Sequence, residues 1–219
     1  MKKYLAIISA LFMLAACDKS SDQSEFKTVG LIDEIKISDI ETVTSAITEV
    51  AFVARFHGFN DHAGGFTDAD GKDTRVMLKV PFDAKGTTLV LPKNPPQQLL
   101  SNIALDFPEG FEISNPEAKT IAFVEIACNI SAQNNFSDFL YMVSDSENVR
   151  YELTYIYCDR SATVTGTSED WWRKRTIYNL NLQKGWNMVV EKTEQQNNSV
   201  TNLMPSGMKW EQSRWIGGR

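Results

Sequence analysis

The sequence predicts an all-β fold, a β-sandwich of antiparallel strands. Three observations point there. Short runs that alternate apolar and polar residues recur along the chain, with Gly, Pro, Asn and Asp between them. Helical periodicity is weak throughout. Hydrophobic residues make up 42% of the 219 residues and aromatics 11%, enough for a packed core and against global disorder.

The chain opens with a basic start, Met1-Lys2-Lys3, and an uncharged apolar run from Tyr4 to Ala16. Leu14-Ala15-Ala16-Cys17 then sets small residues directly before a cysteine. This is the layout of a bacterial lipoprotein signal peptide, cleaved before Cys17, whose sulfur takes up a diacylglycerol. The apolar run is too short to span a bilayer, which takes about 20 helical residues. Residues 1–16 are therefore read as a lipoprotein signal peptide and 17–26 as the lipidated Cys17 with a polar tether (Asp18 to Glu25, DKSSDQSE); residues 27–219 are the β-sandwich domain. The expected location is the bacterial cell envelope, lipid-anchored, facing the periplasm or the cell surface. Acyl methylenes buried in the membrane, at about 0.8 kcal/mol each, supply the attachment.

Ile47 to Phe56 alternates, with Val50, Phe52 and Phe56 on one side and Glu49 and Arg55 on the other. Gly58 to Asp73 reads as an exposed loop rich in Gly and Asp. Thr74 to Pro81 and Thr87 to Pro92 are further strands, the second stopped by Pro92, Pro95 and Pro96. Pro96 to Ile103 offers one or two helical turns with proline at the start. One continuous sandwich is expected, the alternative being a boundary near Pro108–Pro116 that would split the body into two small β units. Thr120 to Ile130 sets Ala122, Val124, Ile126, Cys128 and Ile130 on one face. Val149 to Cys158 carries Tyr151, Leu153, Tyr155 and Tyr157 on one face and Thr154, Ile156 and Cys158 on the other. Two largely apolar faces suit a central strand. Ala162 to Thr167 is short. Thr176 to Leu182 and Trp186 to Val190 read as a hairpin about the Lys184-Gly185 turn, and Met208 to Trp215 as the closing strand.

Charge and cysteine content narrow the function. Without residues 1–16 the chain holds 20 basic and 28 acidic residues, a net charge of −8. That argues against a nucleic-acid partner, whose phosphates require a basic face, and against electrostatic adhesion to anionic lipid. Cys128 and Cys158 either form a disulfide closing a loop of about thirty residues, worth ~3–4 kcal/mol, or are two separate buried thiols.

Candidate sites are few. Asp68, Asp70 and Asp73, with Asp61 nearby, form an acidic Gly-containing loop of the kind that holds calcium, although the EF-hand spacing is not met. His57 and His62 with Asp61 make a poor zinc set. There is no G-x-S-x-G elbow; Ser206 in Pro205-Ser206-Gly207 reads as a turn, and apolar surroundings disfavour Cys128 and Cys158 as nucleophiles. Glu169 and Asp170 are the visible carboxylate pair. Trp171-Trp172, followed by Arg173-Lys174-Arg175, offers an indole for stacking on a sugar or anchoring a partner protein.

Several landmarks occur in a familiar order: Gly64-Gly65-Phe66-Thr67, Leu89-Val90-Leu91-Pro92, Ile113-Ser114-Asn115-Pro116-Glu117-Ala118-Lys119, Tyr157-Cys158-Asp159-Arg160 with Thr163-Val164-Thr165-Gly166, and Leu182-Gln183-Lys184-Gly185-Trp186-Asn187. In these the chain resembles a group of bacterial envelope lipoproteins with a signal peptide, a short tether and a β-rich body. It departs from them by extra residues between Gly65 and Leu89. The resemblance implies location and fold; the group carries no assigned reaction.

The resulting expectation is a lipid-anchored envelope protein acting as a non-catalytic binding or accessory module. Its partners would be the membrane, through the N-terminal lipid, and an envelope protein or glycan. No cofactor is expected beyond calcium at the acidic loop. The competing readings are an envelope hydrolase whose carboxylates meet across the fold, recognisable by a cleft with two or more convergent acids, and a fimbria-like component with an open edge strand.

Overall fold

A computed structural model describes residues 26–41, 43, 46–54, 75–83, 85–107, 110–128, 138–146, 148–170, 173–195 and 197–214. Cys17, the His57/His62 pair, the calcium candidates Asp68, Asp70 and Asp73, and Trp171 and Trp172 lie outside the described residues.

Most of the described residues lie in strands. The first half holds β1 Phe26–Thr28, β2 Leu31–Ile32, β3 Glu34–Ile37, β4 Glu49–Ala54, β5 Val76–Pro81 and β6 Thr87–Val90. A single 3₁₀ turn at Gln97–Leu99 follows Pro96; β7 Ser101–Asn102, helix α1 Ile103–Asp106 and β8 Glu112–Ile113 come next. Asn102 caps α1 by accepting a 2.8 Å hydrogen bond from the Ala104 amide. The long strands are β9 Lys119–Cys128, β10 Asp138–Ser146 and β11 Val149–Cys158. After them come β12 Ala162–Glu169, β13 Arg175–Leu182, β14 Gly185–Thr193, β15 Asn197–Thr201, β16 Leu203–Pro205 and β17 Lys209–Arg214.

The fold is all-β, and its sheets do not close into a barrel. The main sheet runs β5-β4-β9-β10-β11-β14-β15-β13-β12-β8, with β17 on β10, β2 on β14 and β7 on β9. Two ribbons, β1–β16 and β3–β6, pair separately. Among the described residues every pair is antiparallel except β13–β15, which is parallel. Strands from before and after residues 108–116 share this sheet: β4 pairs β9, and β2 pairs β14.

Strand β9 is where the sheet turns. Its C-terminal half lies between β4 and β10, while its N-terminal half pairs β11. Between them the register against β11 slips, Tyr155 opposing Val124 but Tyr157 opposing Ile121. Phe123 takes φ +54°, the left-handed conformation that lets a bulge redirect a strand. The bulge also flips the side-chain parity. Val124, Ile126 and Cys128 share a core as the alternation predicts, but Ile121 joins them where Ala122 was expected.

The sheet has two faces, and β11 separates them. Leu153, Tyr155 and Tyr157 enter the larger core with Val50, Phe52, Ile126, Leu140, Trp186 and Val190. Ile156 and Cys158 enter a second core with Val164, Leu180, Leu182, Val189 and Val200, covered by Ile103 and Phe107 of α1. This is the two-sided central strand that the composition of 149–158 predicts.

The expected hairpin about Lys184-Gly185 is not formed as a pair. Strands β13 and β14 flank the turn, but β15 lies between them, and β14 pairs β11 instead. Two buried asparagines hold the splayed strands. Asn187 Oδ1 accepts from the Gln183 amide (2.8 Å), and its Nδ2 donates to the carbonyls of Gln183 (2.8 Å) and Gly185 (3.0 Å). Asn202 Oδ1 accepts from the Asn181 amide (2.7 Å), and its Nδ2 donates to the Met188 carbonyl (3.1 Å). These side chains take the place of ladder hydrogen bonds, which buried backbone groups require. Turn chemistry at Lys184-Gly185 is local, whereas pairing is decided by the rest of the sheet. The paired hairpin is β12–β13, with Glu169 opposite Arg175 and Ala162 opposite Leu182.

Cys128 and Cys158 are both free and buried. Cys158 opposes Thr120 on β9, and Cys128 stands eight residues further along that same strand. At about 3.3 Å per residue the two lie some 26 Å apart, far beyond disulfide reach. Of the two arrangements left open, separate thiols are what the fold contains.

Candidate functional site

A cleft of about 350 Å³ opens on the second face of the sheet, at the fork where β9 parts from β10 and β11. The last β9–β10 partners are Ile126 and Leu140, and β11 takes over at Val143, which opposes Glu152. The bulge at Phe123 thus makes the opening, and Phe123 itself lines it.

The registers place its side chains. Glu152 on β11 directly opposes Glu191 on β14; Glu191 opposes Val200 on β15; Val200 opposes Tyr178 on β13; and Tyr178 opposes Gly166 on β12. Directly paired residues point to the same face, so this row crosses five strands on one side of the sheet. Thr154 shares that face and donates its hydroxyl to the Val124 carbonyl (3.3 Å). Tyr141 stands on the same face of β10, stacked on Phe139 at 6.1 Å between ring centroids. Glu125 of β9 opposes Val53 and completes the wall.

Helix α1 supplies the fourth carboxylate. Asp106 accepts hydrogen bonds from Ser101 Oγ (3.0 Å) and Thr120 Oγ1. Burial pushes its carboxyl above the usual aspartate range, and the two hydroxyls oppose that shift in part. Tyr178 is wedged by Phe107 and Phe111 at 5.7 and 5.3 Å. Burial raises its phenol, the Glu191 charge adds to the rise, and a hydrogen bond with Ser168 counters it. Gly166 permits this wedge, because a Cβ there would meet the Phe111 ring at 2.6 Å.

The cleft therefore presents four acids, Asp106, Glu125, Glu152 and Glu191, between Tyr141 at one end and Tyr178 at the other. A directly opposed like-charge pair such as Glu152–Glu191 is destabilising on a sheet. Arg150 meets one side of it, with its Nε 3.5 Å from Glu152 and its Nη1 2.8 Å from Asp145. Among the described residues no three His, Cys, Asp or Glu side chains converge to hold a metal ion. The four carboxylates are spread along the cleft rather than gathered on a point.

The described residues singled out from the sequence fall elsewhere. Glu169 and Asp170 close the β12–β13 hairpin: the Asp170 amide donates to the Lys174 carbonyl (3.0 Å), and Asp170 Oδ1 accepts from the Lys174 amide (2.8 Å). Ser206 is exposed in the turn between β16 and β17. Burial, reinforced by the Asp138 charge, raises the Cys128 thiol to about 12. Burial likewise raises Cys158 to about 11, and its Sγ donates to the Arg160 carbonyl. Neither is a poised nucleophile. The Gly185-Trp186-Asn187 motif is structural: Trp186 Nε1 donates to the Pro92 carbonyl (2.8 Å), and its ring packs edge-on to Phe52 and Tyr157.

Sequence reasoning missed all four cleft acids. Their signal was present but weak. Glu152 is the one acid of β11 and Glu191 the one acid of β14, and only the register shows that they coincide. No protein-family model, curated protein or solved structure matches the chain.

Proposed function

We propose that this chain is a lipid-anchored envelope protein whose β body is a non-catalytic binding module, and that the cleft on the second sheet face takes a short glycan. The observation that carries this is the pairing of acids with tyrosines in one opening of about 350 Å³. Ligand pockets of this kind run from about 300 Å³ upward, with a few polar groups that set orientation. Carboxylates accept hydrogen bonds from sugar hydroxyls, and tyrosine offers an apolar ring with a polar tip. The lipid anchor rests on Leu14-Ala15-Ala16-Cys17 and the preceding apolar run. A glycan array probed with the purified chain tests the binding half, with hits weakened at least tenfold by Glu152→Gln. A blank array removes it. Loss of Cys17→Ser protein from the membrane fraction tests the anchor.

One observation favours a second reading, a glycoside hydrolase. Retaining glycosidases flank the scissile bond with two carboxylates, and directly opposed residues on neighbouring strands bring two side chains to one spot on one face. Glu152 and Glu191 are such a pair. Turnover of any array hit, abolished by either Glu→Gln change, selects the hydrolase; binding without turnover selects the module.

A further inference from the structure

We infer that the β1–β16 ribbon is the side of the body that rests on the lipid bilayer, so that the cleft opens away from it. This rests on the anchoring at Cys17 proposed above. Eight residues, 18–25, lie between Cys17 and Phe26, where β1 begins. A chain spans at most about 3.6 Å per residue, so β1 cannot stand more than roughly 30 Å from the lipidated sulfur. Residues this close to an anchored point meet the surface at high effective concentration.

The ribbon presents what such a surface accepts. Phe26 opposes Pro205 and Thr28 opposes Leu203, so Phe26 and Leu203 are diagonal neighbours on one face. They are 47% and 48% exposed, unusual for two adjoining large apolar side chains. Lys27 lies between Phe26 and Thr28 and is exposed. Alternation turns Lys27 to the ribbon's other face, and the face that carries Phe26 and Leu203 is the apolar one that fits an interfacial depth. The ribbon's position sets the orientation. The Phe26 ring packs edge-on to Tyr151 (6.0 Å), on the first face of β11 and toward the larger core. Glu152, the neighbouring residue, points to the second face and into the cleft. Exposed Leu105 on α1 also belongs to the second face, since α1 covers that core.

Hydroxyl-radical footprinting of the processed full-length chain tests this, attached to vesicles of phosphatidylethanolamine and phosphatidylglycerol and compared with the chain from residue 18 free in solution. Oxidation of Phe26 and Leu203 should fall severalfold on the vesicles while that of Leu105 stays unchanged. Equal protection at Leu105, or none at Phe26 and Leu203, overturns the inference. If Cys17 proves to carry no lipid, a maleimide-lipid coupled to its thiol supplies the same attachment, since Cys128 and Cys158 are buried. The contact is thereby tested whether or not the native anchor exists.

Discussion

The two faces of β11 and β14 share the same backbone and differ most at the row where Glu152 faces Glu191. On the first face Leu153, Tyr155 and Tyr157 meet Val190, Met188 and Trp186 without a polar break. On the second, Ile156 and Val189 belong to an apolar core, but in the row beyond Thr154 and Val189 Glu152 meets Glu191. The uninterrupted face is the one that stabilises the fold. The interrupted face gives up packing at one row and gains an opening lined by acids. The difference locates the candidate site without reference to any motif.

The largest test of that contrast is on the first face. Trp186→Ala removes the ring contacts to Phe52 (4.8 Å) and Tyr157 (5.2 Å) together with the bond to Pro92, and should cost about 3–5 kcal/mol in denaturant unfolding. Next is the asparagine that holds β13 and β14 apart. Asn187→Leu leaves the Gln183 amide and the carbonyls of Gln183 and Gly185 without their partner, and should cost about 1–3 kcal/mol. A hydrogen-exchange map should show the loss concentrated at residues 181–188.

On the second face the expected sign reverses. Glu191→Gln relieves the opposed charges and should stabilise the body by about 0.2–1 kcal/mol in the same unfolding assay, while weakening ligand binding. Stability gained with binding lost is the signature of a site; loss of both would make Glu191 an ordinary structural residue. The smallest effect concerns pH. The folded Asp106 carboxyl titrates above its ordinary value, because burial favours the neutral acid. Its contribution to stability is therefore full below about pH 3.8 and falls as pH rises through the folded value. Asp106→Asn should flatten that part of the stability profile between acid and neutral pH.

How much of this was legible beforehand depended on range. The strand at Val149–Cys158 was read to its ends, because its composition reports burial on both faces. Val76–Pro81, Thr87–Val90 and Lys209–Arg214 fall within their predicted runs for similar reasons. The bulge at Phe123 left no mark in the alternation, and it shifted Ile121 into the place expected for Ala122. The Lys184-Gly185 turn was visible, but not that β15 would enter between its arms in parallel with β13. Carboxylates on four separate elements meet only once those pairings exist, so spacing along the chain carried no trace of the cleft.

The most direct measurement is an amide NMR titration of the body with a glycan selected from the array. Saturable shifts concentrated at Tyr141, Thr154, Tyr178 and Glu191, and absent in Glu152→Gln, are the predicted result. An array without hits, or shifts that saturate on another surface and survive that substitution, would contradict the assignment of this cleft.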